Sequence, residues 1–203
     1  VLVNFALGTG KGISAGDVVQ VAGPESAKPL YAEVCRAVWR AGGHVIHDFR
    51  PDNDPASNLN RDFLEMAGDE QLEFVPKAYW RGLIDQCDHG VHLFCEADPH
   101  ALRDVDPSKI MRRQESFMPV IEWQQHKESE GQYTWTIGLY GTEAMAAEAG
   151  LSSEEYWEQI ISACYLDDPD PVARWREVTA EVDRQAAFMT SLPIDRLHVE
   201  GQD

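Results

Sequence analysis

Apolar residues recur along this chain in two alternating periods, and the alternation predicts strand–helix–strand units. Asp17 to Pro24 carries Val18, Val19 and Val21, whose branched side chains suit a pleated strand. Tyr31, Val34, Cys35, Val38 and Gly42 then return at steps of three and four, the period of one buried helix face. His44-Val-Ile-His-Asp-Phe49 reads as a second strand. Two strands around a segment of that length form a βαβ unit, the seed of a parallel sheet. Ser26 is the expected N-cap of the helix, because its oxygen can accept a free N–H of the first turn. Pro29 falls in that turn, where a missing N–H is harmless. Gly42-Gly43 supplies the left-handed stop.

The rest of the chain reads as further units laid beside this one. Val1–Leu7 is a short helix, followed by a glycine-rich turn. Arg50 to Ser57 is dense in turn formers, Leu59–Met66 is helical, and a longer helix spans Glu70 to Cys87, or runs only from about Val75 where Pro76 marks a helix start. In that segment Leu72, Val75, Tyr79 and Leu83 fall at helical steps. Gly90–Cys95 is a third strand, and Glu96–His100 is the loop after it. Asp106 opens a long helix from Lys109 to Lys127, which Pro119 is expected to kink or divide. Glu128–Gln132 is a turn, and Tyr133–Tyr140 is the clearest strand, rich in aromatic and β-branched residues. A short helix follows at Glu143–Ala149. Ser152 and Glu155 form a capping box for a helix to about Leu166. Asp170 and Pro171 start the last helix, with Val172, Trp175, Val178, Val182, Ala186 and Met189 as its apolar face. Pro193 ends it, and Arg196–Glu200 begins another strand. The fold class is therefore α/β, a three-layer domain with a mostly parallel sheet flanked by helices.

The 203 residues, 43% of them hydrophobic, suffice for one large domain or two small ones. No run approaches the roughly 20 apolar residues of a membrane helix, and no signal peptide is expected at the N-terminus. The chain starts at Val1 rather than Met, and a strand so near Asp203 implies that the natural polypeptide continues. The net charge of −18 disfavours nucleic acid, since an acidic field repels phosphate. Cys35, Cys87, Cys95 and Cys164 form no C-x-x-C pair, so they read as buried free thiols of a reducing cytoplasm.

Candidate chemistry is sparse. Gly8-Thr-Gly-Lys-Gly12 resembles a phosphate loop, yet it precedes a strand instead of following one, and Lys11 is followed by Gly12. His44 and His47, like His89 and His92, stand three apart in strands, so each pair points to opposite faces. Neither pair can grip one metal. No H-E-x-x-H, G-x-S-x-G or three-glycine dinucleotide fingerprint occurs. Glu25, Asp98 and His100 follow strands and could face the crevice that open α/β sheets form at strand carboxyl ends. The six Trp residues suit packing. The residues alone therefore yield an α/β domain without a catalytic set.

Tyr140-Gly-Thr-Glu-Ala-Met-Ala-Ala-Glu-Ala-Gly-Leu-Ser-Ser-Glu-Glu-Tyr156 resembles the aminopeptidase T/aminopeptidase S family of dinuclear, thermophilic-type metalloaminopeptidases. That family has Pro where Gly141 stands and Met where Leu151 stands. Leu2-Val-Asn4, Gly16-Asp17-Val-Val, Ala41-Gly-Gly-His44 and Val105-Asp-Pro-Ser-Lys109 fit the same family, so the likeness covers nearly the whole chain. It implies that residues 1–203 are the family's N-terminal α/β domain, which walls a cleft admitting short peptides. The catalytic metal domain is then expected beyond Asp203. There, two divalent ions, zinc or cobalt, would polarise the scissile carbonyl and activate water. The likeness further implies a cytoplasmic homodimer. No position here matches a ligand motif, so no catalytic, cofactor-binding or metal residue is assigned, and the chain is expected to be inactive alone. Two rival readings remain open. One is a free-standing doubly wound domain for a small ligand or nucleotide, with its pocket in the loops after Phe49 and Cys95. The other is an assembly module.

Overall fold

Val18–Pro24 (β1) and His44–Arg50 (β2) pair in parallel, with Val18 opposite His44 and Pro24 opposite Arg50. Helix α1, Lys28–Arg40, crosses between them. The structure, a computed structural model, describes residues 1–201. His89–Phe94 (β3) pairs with the other side of β1, and Thr134–Leu139 (β4) pairs with β3. The sheet order is β2-β1-β3-β4 and every pairing is parallel.

The stop of α1 follows the sequence closely. Gly42 takes φ +82, its N–H bonds Trp39 O, and the Gly43 N–H reaches back to Val38 O. These are the two bonds of a Schellman cap, and only glycine takes that φ without a Cβ penalty. The start differs from expectation. Ala27, not Ser26, occupies the cap position and offers no side-chain bond, because Glu25–Ala27 forms a tight 3₁₀ turn and the Ser26 hydroxyl is committed to Asp52. Pro29 does sit in the first turn.

Leu2–Ala6 forms a short wide helical turn in place of the expected short N-terminal helix, followed by a 3₁₀ turn at Gly8–Gly10. The remaining α-helices are Leu59–Met66 (α2), Asp69–Glu73 (α3), Lys77–Gln86 (α4), Pro107–Ser129 (α5), Glu143–Glu148 (α6), Ser153–Ala163 (α7) and Pro171–Ser191 (α8). The segment from Glu70 to Cys87 holds two helices, and Pro76 marks the start of the second as the alternative reading has it, because it cannot continue a helix and serves as the cap residue of α4. Leu72 and Leu83 are buried as expected, whereas Tyr79 is exposed. Pro119, by contrast, neither divides nor ends α5. The carbonyl it leaves unpaired belongs to Glu115, an exposed residue that water can serve. Asp106, Thr142 and Asp170 cap α5, α6 and α8 through their side chains, and the Ser152–Glu155 box is formed.

One face of the sheet packs Val19, Val21, Val91 and Leu93 against Tyr31, Val34 and Val38 of α1 and against Val3 and Leu7. Leu83 and Cys87 join Tyr133, Val18 and Ile46 in a second cluster, and Leu64, Ala67, Leu72 and Val105 make a third. Helix α5 ties the outer helices together with cations. Lys109 donates to Leu64 O, Glu65 O and Ala67 O at the end of α2. Arg113 donates to Leu72 O and Phe74 O at the end of α3. Lys127 donates to Ile84 O, Asp85 O and Cys87 O at the end of α4. Each meets the unpaired carbonyls and the negative dipole end of a helix.

Compact packing divides the chain into Val1–Ile160 and Ile161–Asp203. In the second unit α8 buries no residue fully: the apolar face expected of it is half-buried at Val172, Trp175 and Val178 and exposed from Val182 onward. Residues 196–200 form no strand, since no sheet edge pairs with them; Leu197 and Val199 stand 70% and 88% exposed. Of the six Trp side chains, Trp80, Trp123, Trp157 and Trp175 are half-buried and pack against Phe117, Arg81, Tyr140 and Tyr165 as the packing role requires, whereas Trp39 and Trp135 are exposed.

Candidate functional site

The carboxyl ends of β1, β2 and β3 open onto a cleft of about 260 Å³, where Pro24, Pro51 and Cys95 mark the three strand ends. Its position follows from topology, because loops leaving parallel strands on the same side must part there. Asp52 fixes the first loop: its carboxylate accepts the Ser26 N–H at 3.0 Å and the Ser26 hydroxyl. Asn58 joins the two loops, accepting the Arg61 N–H to cap α2 while its amide donates to Ala101 O at 3.0 Å. Thr142 donates to Glu96 O at 2.6 Å and accepts the Met145 N–H, so one hydroxyl both caps α6 and anchors the second loop. A second hollow of about 260 Å³ shares Glu96 and Pro99 with the first and reaches Met145, Glu148 and Tyr156.

The electrostatics have one sign. Asp52, Glu96 and Asp98 line the cleft, Glu148 lines the hollow, and neither has a Lys or Arg in its wall. Burial, helped by Asp52 and Glu96, pushes the Cys95 thiol up to about 11, so it is no nucleophile near neutral pH. A phosphate group would meet three carboxylates and no cation, which argues against a nucleotide pocket here. Of the loop residues singled out in the sequence, Asp98 lines the cleft. Glu25 and His100 do not; His100 instead lies 3.1 Å from Glu148.

The histidines separate as the strand period requires. His47 meets the Tyr31 hydroxyl at 2.9 Å on the α1 side. Burial, then Arg50, lowers the pKa of His92. His89 is buried in a relay at the amino end of the sheet, with Nε2 3.0 Å from Asp17 and Nδ1 2.8 Å from the Thr134 hydroxyl. The Thr134 oxygen also accepts the Gly8 N–H, and Asp17 accepts the Ser14 N–H. Burial works to raise the Asp17 carboxyl, but Ser14 and His89 outweigh it and hold it below the ordinary range. The ionised carboxylate can only accept, so His89 Nε2 carries a proton and donates it to Asp17. Asp, His and Thr are arranged as in a catalytic triad, yet they line neither the cleft nor the second hollow. Their role is to lock β1, β3 and β4 together. No sequence spacing announces this relay, or the Asp52 and Thr142 anchors, because each joins residues far apart in the chain.

A dinuclear metal centre needs converging carboxylates and imidazoles. Among the described residues, no three His, Cys, Asp or Glu side chains converge in that way. The residues present do not fit such a centre.

A family model described as thermophilic metalloprotease (M29) matches residues 2–203. Aminopeptidase T of Thermus thermophilus is 24% identical, over 98% of this chain and 50% of that protein. Aminopeptidase 2 of Geobacillus stearothermophilus is 23% identical, over 98% of this chain and 49% of its own length. The solved structure of wild-type AmpT from Thermus thermophilus superposes with a TM-score of 0.65 at 22% identity, covering 86% of this chain and 43% of that one. The chain thus spans about half the length of the curated relatives it matches.

Proposed function

The chain belongs to the thermophilic metalloprotease (M29) family, and from that premise we propose that it is the N-terminal, cleft-forming domain of a metal-dependent aminopeptidase. The substrate is the N-terminal residue of a short peptide. The observation that carries this reading is the family match over residues 2–203, joined to relatives named aminopeptidases that are about twice as long. In this reading residues 1–203 wall the cleft and select what enters. The zinc or cobalt ions are held by the other half of the polypeptide, and the intact enzyme is a cytoplasmic homodimer. The acid-lined cleft supports a peptide with a cationic terminus over a phosphorylated ligand.

The test is an assay of an amino-acid anilide with added zinc or cobalt. The 203-residue chain is expected to give no turnover. The polypeptide extended through its second half is expected to be active and to lose activity to a chelator. Robust turnover by the short chain would overturn the placement of the chemistry outside it. Failure of the extended polypeptide under every metal would overturn the aminopeptidase reading itself.

A further inference from the structure

The second unit, Ile161–Asp203, has closed polar faces and open apolar ones. On α8 the polar side is satisfied from within: Arg174 pairs with Glu177, and Glu181 takes both Arg184 and Gln185. Val172, Trp175, Val178, Val182, Ala186 and Met189 lie within an arc of about 120° at the helical period. Trp175 is engaged at the near end, its indole N–H on Cys164 O and its ring against Tyr165. Farther along, Val182 is 58% and Met189 47% exposed. The residues after the helix repeat the arrangement at the strand period. His198 meets Glu200 at 3.2 Å on one side, while Leu197 and Val199 on the other have no cover. A helix of this length with nothing buried is marginal alone, since most helical stability in proteins comes from packing an apolar face.

We propose that this unit is the docking arm for the half of the polypeptide that the relatives carry beyond the matched part. The stripe of α8 packs against that half, and Arg196–Glu200 enters its sheet as a strand. The inference rests on the reading of the chain as the N-terminal part of a longer enzyme. A second copy is the weaker occupant, because two chains of charge −18 repel and the stripe bears no basic patch to offset this. A covalently joined half needs no such offset, since tethering alone supplies a high effective concentration.

Hydrogen exchange decides it, comparing the 203-residue chain with the polypeptide carrying both halves. Amides of residues 178–200 are expected to exchange about tenfold or more slowly in the longer polypeptide. Val182→Asp and Leu197→Asp are expected to remove that slowing, yet leave the melting temperature of the short chain unchanged. Equal protection in both chains, no gain in the longer one, or protection that grows with the concentration of the short chain each overturn the proposal. Anilide hydrolysis in the same samples separates the two readings. An active long polypeptide without the slowing refutes the docking arm alone. An inactive one with the slowing refutes the enzyme reading and keeps the arm. A reading frame that closes after Asp203 overturns both.

Discussion

Replacing Lys127 by Met removes an ammonium group and keeps most of its apolar stem. In the native chain that group lies 2.8 Å from Ile84 O, 3.2 Å from Asp85 O and 2.7 Å from Cys87 O. The substitution therefore leaves the end of α4 without its donor. Hydrogen bonds from a charged group contribute about 1.5–3 kcal/mol when counted singly. Here three bonds share one donor, and the Asp85 contact is exposed, so water replaces part of it. The expected loss is about 2 kcal/mol, including roughly 0.3–1 kcal/mol from the helix dipole. For a chain of this size that corresponds to a fall of roughly 4–8 °C in melting temperature. Lys109→Met should act in the same direction by less, because its contacts, 2.9 to 3.2 Å, are longer. The two lysines are 18 residues apart on α5, about 27 Å along the axis. Their effects should therefore add within about 0.5 kcal/mol. Urea titration of the two single variants and the double variant measures all of this. A loss below about 0.5 kcal/mol for Lys127→Met would refute the view that α5 holds the outer helices by their carboxyl ends.

Three further outcomes are expected. A Cβ on Gly90 would collide with the Tyr133 hydroxyl, so Gly90→Ala should destabilise by about 2–3 kcal/mol and markedly less in a Tyr133→Phe background; equal losses in a double-mutant cycle would sink this. Asp17 has a folded pKa below its unfolded value of about 3.9. Its contribution is therefore complete above that value and is lost as pH falls through the folded pKa, so Asp17→Asn should flatten the acid limb of the stability curve below about pH 4, and an unchanged limb would refute the relay. Burial pushes the thiols of Cys87 and Cys95 up to about 11, and Cys35 is raised as well, while Cys164 is only half-buried. Alkylation followed by mass spectrometry at about pH 8 should thus label Cys164 first and the others only after denaturation.

Where local chemistry decides structure, the sequence was sufficient. Gly42 demanded a left-handed turn, Asp170 and Ser152 capped the helices that follow them, and Leu59–Met66 begins and ends where its pattern does. Each of these rests on neighbours within a few residues. The crevice was legible too, at one remove, because parallel strands dictate where loops diverge, and Asp98 was found there. Its construction was not. Ser26 abandoned its cap for Asp52, and Thr142 serves Glu96 as well as its own helix. A side chain with a free hydrogen bond to give takes whichever partner the fold brings near, and spacing along the chain does not reveal which that is.

The clearest division lies between period and partner. Alternation along residues 196–200 and the stripe on α8 state which faces seek cover, since the apolar pattern is a property of the chain itself. What covers a face is a property of everything else that folds with it. That is why the same kind of stripe is sealed in α1, where β1 and β3 meet it, and lies bare along the second half of α8.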